Sequence, residues 1–206
     1  MRKALLIALV LCLGAIPRSA LGQTAWDSPM LLPPGPPEGF GIYLTQMHRA
    51  DLGVMGTWRS PIWNYGLRVG IADGSGSDGL ALFGGVDYAG PLHRATNELP
   101  LDIDWLFGAG LGTGNGIRAS FPAGVSVAHS FQAESARFTP YLTPRLVVDG
   151  LFGGTREGGD QFRLGLAADI GLDMRITSGG GPLMGSTLRF GASVGDRSAI
   201  ALGIVF

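Results

Sequence analysis

The chain has 206 residues, of which 46% are hydrophobic, 15% are charged and 35 are glycine, and its formal net charge is −1. It is too poor in Glu and Lys to be a disordered chain, and its acidic balance argues against a nucleic-acid partner, which would require a basic surface. A chain of this length suits a single domain.

Residues 1–22 have the layout of a cleaved export signal. They combine a basic start, an apolar run that ends at Ile16, and small residues at Ala20 and Gly22. The apolar run is too short to span a bilayer comfortably, so we predict cleavage after Gly22. Cys12, the only cysteine, lies inside this signal, and the mature chain therefore has no disulfide and no cysteine metal cluster. Cleavage leaves 12 basic residues against 16 acidic ones.

Residues 23–38 form a proline-rich N-terminal segment that we expect in the periplasm. Within it the run SPMLLPPGPPEG, from Ser28 to Gly39, predicts an extended spacer between the cleavage site and the folded part. The folded domain is then predicted to span residues 39–206.

From Phe40 onward, apolar residues recur at every second position, which is the pattern of half-buried strands. Eight segments alternate clearly, and two weaker ones precede them. The clear segments are 63–71, 80–88, 101–111, 117–127, 138–148, 162–174, 184–194 and 200–206, and the weaker ones are 40–44 and 52–58. We predict ten strands, or eight if the first pair fails.

The other parity of these strands carries charged residues among Gly, Ala, Ser and Thr. Seven of them are arginines and six are aspartates, so the two signs nearly balance. The set is Arg68, Asp87, Asp102, Asp104, Arg118, Arg137, Arg145, Asp149, Arg163, Asp169, Asp173, Arg175 and Arg189.

Alternation alone does not decide which face lies inside. A soluble β-sandwich or lipocalin-like barrel would bury the apolar face, whereas an outer-membrane barrel turns it toward lipid. Arginines, aspartates and small residues suit a narrow lumen in which charges neutralise one another, and aromatic residues toward strand ends suit interfacial girdles. We therefore predict an all-β fold, a closed antiparallel up-and-down transmembrane β-barrel with these charges inside as a lumen network.

The end of the chain carries a resemblance. Ile200, Leu202, Ile204 and Phe206 alternate up to an aromatic last residue, a pattern that resembles the C-terminal assembly signal of bacterial outer-membrane β-barrel proteins. The general architecture is similar to that of the small OmpA-, OmpX- and OmpW-like barrels. The resemblance implies an outer-membrane location, recognition of the last strand by the barrel-assembly machinery, contact with outer-membrane lipid, and pairing of the last strand with the first.

Motifs for cofactors and metals are weak. The glycine-rich run from Gly108 to Gly116 lacks the Gly-Lys-Ser/Thr of a phosphate loop. The three histidines, His48, His93 and His129, are isolated and lack the paired spacing of a metal site. We predict no cofactor and no metal.

Two groups of residues could support other chemistry. His129 with Ser130 and Glu134 could form a hydrolytic set, but neighbouring residues of a strand point to opposite faces, whereas nucleophile and base must meet. Asp102 and Asp104 could pair as catalytic carboxylates, yet in a lumen lined by arginines they more simply neutralise cations.

The sequence favours an outer-membrane β-barrel that is not an enzyme, with a structural or interaction role and a lumen filled by Arg/Asp pairs. Three alternatives stay open: a small porin for small solutes, an outer-membrane lipid hydrolase or acyltransferase that uses His129, and an exported soluble β-sandwich.

Overall fold

The structure is a computed structural model that describes residues 26–47, 52–73, 79–114, 116–152, 161–178, 181 and 183–206. The predicted signal 1–22, residues 23–25 and His48 lie outside the described residues. The described strands are β1 Gly39–Met47, β2 Leu52–Arg59, β3 Tyr65–Asp73, β4 Leu80–His93, β5 Asp102–Gly114, β6 Gly116–Ala128, β7 Phe131–Gln132, β8 Ala136–Phe152, β9 Gln161–Ile176, β10 Thr187–Gly195 and β11 Ala199–Val205. The described part of the chain contains no helix long and apolar enough to cross a membrane.

Ten long strands form a closed antiparallel barrel. Each pairs with the next along the chain, β6 pairs with β8, and the two-residue β7 pairs only with the edge of β8. The barrel closes where β1 pairs with β11, with Gly41 opposite Val205 and Met47 opposite Ala199. Closure leaves no unpaired sheet edge among the long strands. The all-β fold and the ten-strand count are confirmed, and the two weakly patterned segments are the strands β1 and β2.

The ladder is interrupted near one proline. Along β6 and β8 the register passes from Gly124 opposite Arg145 to Val127 opposite Leu142, and the positions between them, including Pro144, are unpaired. Proline has no N–H to donate, so a gap at this point is the expected cost of placing it inside a barrel wall.

The barrel turns its apolar side chains outward. Leu82, Leu166 and Leu202 are 54%, 64% and 58% exposed, whereas Arg118 and Asp169 are 6% and 1% exposed. The two faces predicted from the alternation are therefore real, and the charged face is the inner one. A soluble sandwich or a lipocalin-like barrel has the opposite arrangement, with its apolar face inside and its charged face in water.

The two ends of the barrel, here called mouths, differ in what they hold. The terminal mouth contains the start of β1 and the end of β11, where the Phe206 N–H donates to the Phe40 carbonyl at 2.8 Å. Gly39 sits at this junction with a φ of +100°, and a Cβ there would lie 2.2 Å from the Phe206 carbonyl oxygen, so only glycine fits. Because antiparallel strands alternate in direction, the β10–β11 turn at residues 196–198 lies at the opposite mouth.

The proline-rich segment is not a spacer outside the barrel. Residues 26–34 are all buried, and they contact inward-facing side chains or backbone of seven different strands, β3 to β6 and β8 to β10. The prediction of an extended spacer is therefore wrong for residues 28–34. Periodicity could not reveal this, because a segment that fills a lumen has no sheet face and no alternation of its own.

Candidate functional site

The candidate site is the lumen, together with the segment that runs through it. We call residues 26–38 the lumen segment. At one end the Gly35 N–H donates to Asp104, near the start of β5 at the terminal mouth, at 2.9 Å. At the other end Asp27 contacts Arg197, in the β10–β11 turn of the opposite mouth. The segment therefore crosses the barrel from one mouth toward the other.

Trp26, the first residue of the lumen segment, packs against the inner wall of the barrel. Its indole lies on three glycines, Gly85 on β4 and Gly108 and Gly110 on β5, where an added Cβ would come within 2.3 to 2.7 Å of the ring. The indole N–H donates to the Ser120 carbonyl of β6 at 3.1 Å. Glycines on neighbouring strands thus leave room for one large side chain to pack against the backbone of the wall, which explains part of the glycine content of the inner face.

Arginines of the wall hold the backbone of the lumen segment. Arg68 donates to the carbonyls of Pro29 at 3.4 Å and Met30 at 2.8 Å, and Arg189 donates to the Leu31 carbonyl at 2.9 Å. A segment without a ladder partner must satisfy its buried carbonyls in another way. Guanidinium groups, with five donors each, can do this while they also pair with carboxylates.

Asp27 links the lumen segment to the wall through two cations. Its carboxylate pairs with Arg145 of β8 and, at 3.5 Å, with Arg197, and its carbonyl accepts from Arg145 at 2.9 Å. Arg197 also donates to Asp149 at 2.6 Å. Burial lowers the pKa of Arg197, but the attraction of Asp27 and Asp149 outweighs this effect and holds its pKa above the ordinary value. This guanidinium therefore stays charged.

Arg145 stands between two carboxylates. Its Nε donates to Asp169 of β9 at 2.8 Å, and the side chains of Arg145, Asp27 and Asp169 are at most 1% exposed. Asp169 also accepts the Met30 N–H at 3.3 Å. The lumen segment and strands β8 and β9 are thus joined by one buried ion-pair cluster.

Three further ion pairs line the lumen and involve two carboxylates, those of Asp87 and Asp173. Arg68 and Arg59 both pair with Asp87 of β4. Arg189 of β10 binds both oxygens of Asp173, each at 2.7 Å. A two-point contact of this kind holds the guanidinium and the carboxylate in one relative orientation and also neutralises their charges.

The structure places most of the predicted charge network inside. Nine of the thirteen residues are buried: Arg68, Asp87, Asp104, Arg118, Arg145, Asp149, Asp169, Asp173 and Arg189. Asp102 is half-buried, and Arg137, Arg163 and Arg175 are exposed, toward the ends of their strands. The strand pattern identifies the face, but it does not say where the lumen ends and a mouth begins.

Sequence reasoning missed three members of the network: Asp27, Arg59 and Arg197. They lie in the lumen segment, at the end of a weakly patterned strand and in a turn, so the alternation did not include them. With these three, the buried and nearly buried charges among the described residues are Arg59, Arg68, Arg118, Arg145, Arg189 and Arg197 against Asp27, Asp87, Asp104, Asp149, Asp169 and Asp173. The signs balance at six each, as a low-dielectric interior requires.

The residues of the hydrolase alternative have other partners. His129 Nδ1 lies 2.5 Å from the Pro100 carbonyl, and the Ser130 hydroxyl lies 2.9 Å from that of Thr139. Within the described ranges, no three His, Cys, Asp or Glu side chains are arranged to hold a metal ion. The geometry thus favours a filled and ion-paired lumen over a reactive centre.

Comparison of the chain with protein-family models, with curated proteins and with solved structures finds no match.

Proposed function

We propose that this chain is an integral β-barrel protein of the bacterial outer membrane, with a lumen closed by its own N-terminal segment and a structural or interaction role. It is neither an enzyme nor an open channel in this proposal. The main support for this proposal is the reversed polarity of the barrel, which has ion pairs in its lumen and apolar side chains on its outer surface.

The outer surface is suited to lipid. On the outward parity of the ten long strands, Asp73 at the end of β3 is the one charged residue among those described. Nine-residue strands such as β1 and β3 also match the roughly 9 to 11 residues that a tilted strand needs to cross a bilayer. In water, an apolar surface of this extent would promote aggregation.

Aromatic rings form a row on the outside of the barrel toward the terminal mouth. Trp58, Tyr65, Tyr88, Phe107 and Trp105 contact one another in series across β2, β3, β4 and β5, with ring centroids 5.3 to 5.9 Å apart. Toward the opposite mouth, Phe152 and Phe162 form another pair on β8 and β9. Aromatic girdles at two interfaces are typical of outer-membrane barrels.

The last strand fits an assembly role. Ile200 and Leu202 point outward from β11 and are about half exposed, and β11 completes the barrel by pairing with β1. An alternating terminal strand of this kind resembles the signal that the barrel-assembly machinery reads in bacterial outer-membrane proteins, and we assign it that partner.

The lumen segment argues against the porin alternative. Trp26, Met30 and Leu31 are at most 2% exposed, so the centre of the barrel is packed with side chains. An ion would have to displace this segment to pass. A closed barrel leaves its outer surface and its mouths for contact with other molecules.

Cell fractionation tests the proposal. The full chain, expressed in a Gram-negative host, is expected in the outer-membrane fraction and to migrate faster on gels before boiling than after it, because a folded barrel resists detergent. A soluble periplasmic protein with no shift on boiling would contradict the proposal and favour the soluble alternative.

An outward arginine gives a sharper test. Leu44 lies in the middle of β1 and is 60% exposed. In a bilayer, Leu44→Arg is expected to destabilise the barrel by about 2–4 kcal/mol, whereas on a water-exposed surface the change would stay within about 0.5 kcal/mol. Denaturant unfolding of the reconstituted chain measures the difference.

Gln46→Arg is the matched control for this test. Gln46 lies on the same face of β1, near the end of the strand, so we expect a loss of roughly 0–1 kcal/mol. Equal and small effects of both substitutions would show that the surface of β1 does not face lipid.

A further inference from the structure

A second feature lies outside the ion-paired lumen, at the terminal mouth. A cavity of about 240 Å³ opens there between the wall and the proline-rich part of the lumen segment. Pro33, Pro34 and Pro37 line one side, and Arg137 and Arg175 line another.

Arg137 and Arg175 are directly opposite each other on β8 and β9. Both lie on the inward parity of their strands, so their side chains belong to the mouth and not to the outer surface. Like charges at directly opposite positions of an antiparallel pair destabilise a sheet. The arrangement therefore needs a compensating anion or costs stability.

No protein carboxylate among the described residues fills this need. Neither arginine makes an ion pair or side-chain hydrogen bond with another described residue. Asp173, which also lines the cavity, is held on both oxygens by Arg189. Asp102, the other acid of the lining, accepts the Ala95 N–H and balances at most one of the two charges.

The third arginine of the cavity is already neutralised. Arg94 pairs with Asp104, whose other oxygen accepts the Gly35 N–H of the lumen segment at 2.9 Å. The surplus of positive charge is thus confined to Arg137 and Arg175, beside a wall of prolines that offers no N–H donors.

We propose that Arg137 and Arg175 form a binding site for a small phosphate-bearing anion at the terminal mouth. Guanidinium groups bind phosphate oxygens through paired hydrogen bonds. A phosphate monoester carries a charge of about −1.5 to −2 at neutral pH, which matches two arginines better than a single carboxylate does. The site itself requires only the barrel and its lumen segment, whereas the nanodisc format of the test rests on the proposed membrane location.

The probe for the test is inorganic phosphate, titrated at constant ionic strength into the full chain in nanodiscs of neutral lipid. We expect saturable binding and a rise in the unfolding temperature. Arg137→Gln and Arg175→Gln should each weaken binding at least tenfold and remove the rise. Without phosphate, each variant should unfold at the same temperature as the parent chain or higher, because the repulsion between Arg137 and Arg175 is relieved. This measurement distinguishes a loss of binding from a loss of folding.

Arg163→Gln is the control, since Arg163 is also an exposed arginine on the inward parity of β9 but lies at the start of that strand, toward the opposite mouth. It should leave phosphate binding unchanged.

Repeating the titration in nanodiscs that contain an anionic phospholipid separates the two sources of phosphate. If this lipid competes with inorganic phosphate, the occupant is a lipid headgroup. If the lipid does not compete, the occupant is a soluble phosphate. Absence of saturable binding in neutral discs, or binding equally weakened by Arg163→Gln, would overturn the proposal.

Discussion

Replacing residues 26–34 with a Gly/Ser sequence of equal length is expected to change the barrel from non-conducting to conducting. These nine residues are buried in the lumen, and without them the arginines and aspartates of the wall would line a water-filled passage. Planar bilayer recordings of the reconstituted chain should show no resolved steps for the parent and stable discrete steps for the variant.

A second variant tests the same closure without touching the segment. Gly85→Leu places a side chain where the Trp26 indole lies, since an added Cβ would be 2.3 Å from the ring. The control is Gly56→Leu on β2, where the nearest atom to an added Cβ is 3.9 Å away. We expect conductance from Gly85→Leu and none from Gly56→Leu. A Gly/Ser variant that still shifts on boiling yet does not conduct would show that the wall side chains close the lumen by themselves.

The second large effect is expected at Arg145. Arg145→Met keeps much of the side-chain volume but leaves Asp27 and Asp169 buried next to each other without their shared cation. Breaking a buried ion pair by removing one partner costs about 3–5 kcal/mol. Denaturant unfolding of the reconstituted chain should show a loss of this size.

Two companion variants separate the ionic effect from the packing effect. Arg175→Met removes an exposed arginine from the neighbouring strand and should change the free energy of unfolding by about 0.5 kcal/mol or less. The double variant Arg145→Met, Asp169→Asn should recover part of the loss, because it removes one charge of each sign and Asp27 keeps Arg197 as its partner. Equal losses for Arg145→Met and Arg175→Met would contradict the assignment of a buried cluster.

Together these experiments divide the molecule into three parts. Substitution of an outward leucine tests contact with lipid. Substitutions in the cluster around Asp27 and Arg145 test how the lumen segment is held, and substitutions of the two mouth arginines test ligand binding. Arg175 is both a mouth arginine and the control for Arg145, but the two tests measure phosphate binding and unfolding without phosphate, so failure of one leaves the other interpretable.

The positions of the strands and the division of each strand into an apolar and a charged face followed from local pattern. Side chains of a strand alternate strictly, so Leu166 and Arg163 had to face opposite ways whatever the barrel did. The final strand, with Ile200 and Leu202 on one parity, could likewise be recognised without knowing its partner. Even the near balance of arginine and aspartate was visible before any pair was known.

The pairs themselves depended on register and closure. Arg145 meets Asp169 because β8 and β9 align in one particular register, and Arg189 meets Asp173 because β9 and β10 do. No spacing along the chain specifies such neighbours. Exposure at a mouth, as for Arg137, depends on where the strand lies along the barrel, which also needs the whole structure.

The sequence by itself determined two faces, an apolar one and an ionic one, because alternation is a local property of extended chain. Only the tertiary structure decided that the ionic face surrounds a lumen and that residues 26–34 fill it. A proline-rich segment has no partner strand and no periodicity, so its place depends on a cavity that exists only after ten strands have closed, with guanidinium donors already turned inward to meet its carbonyls.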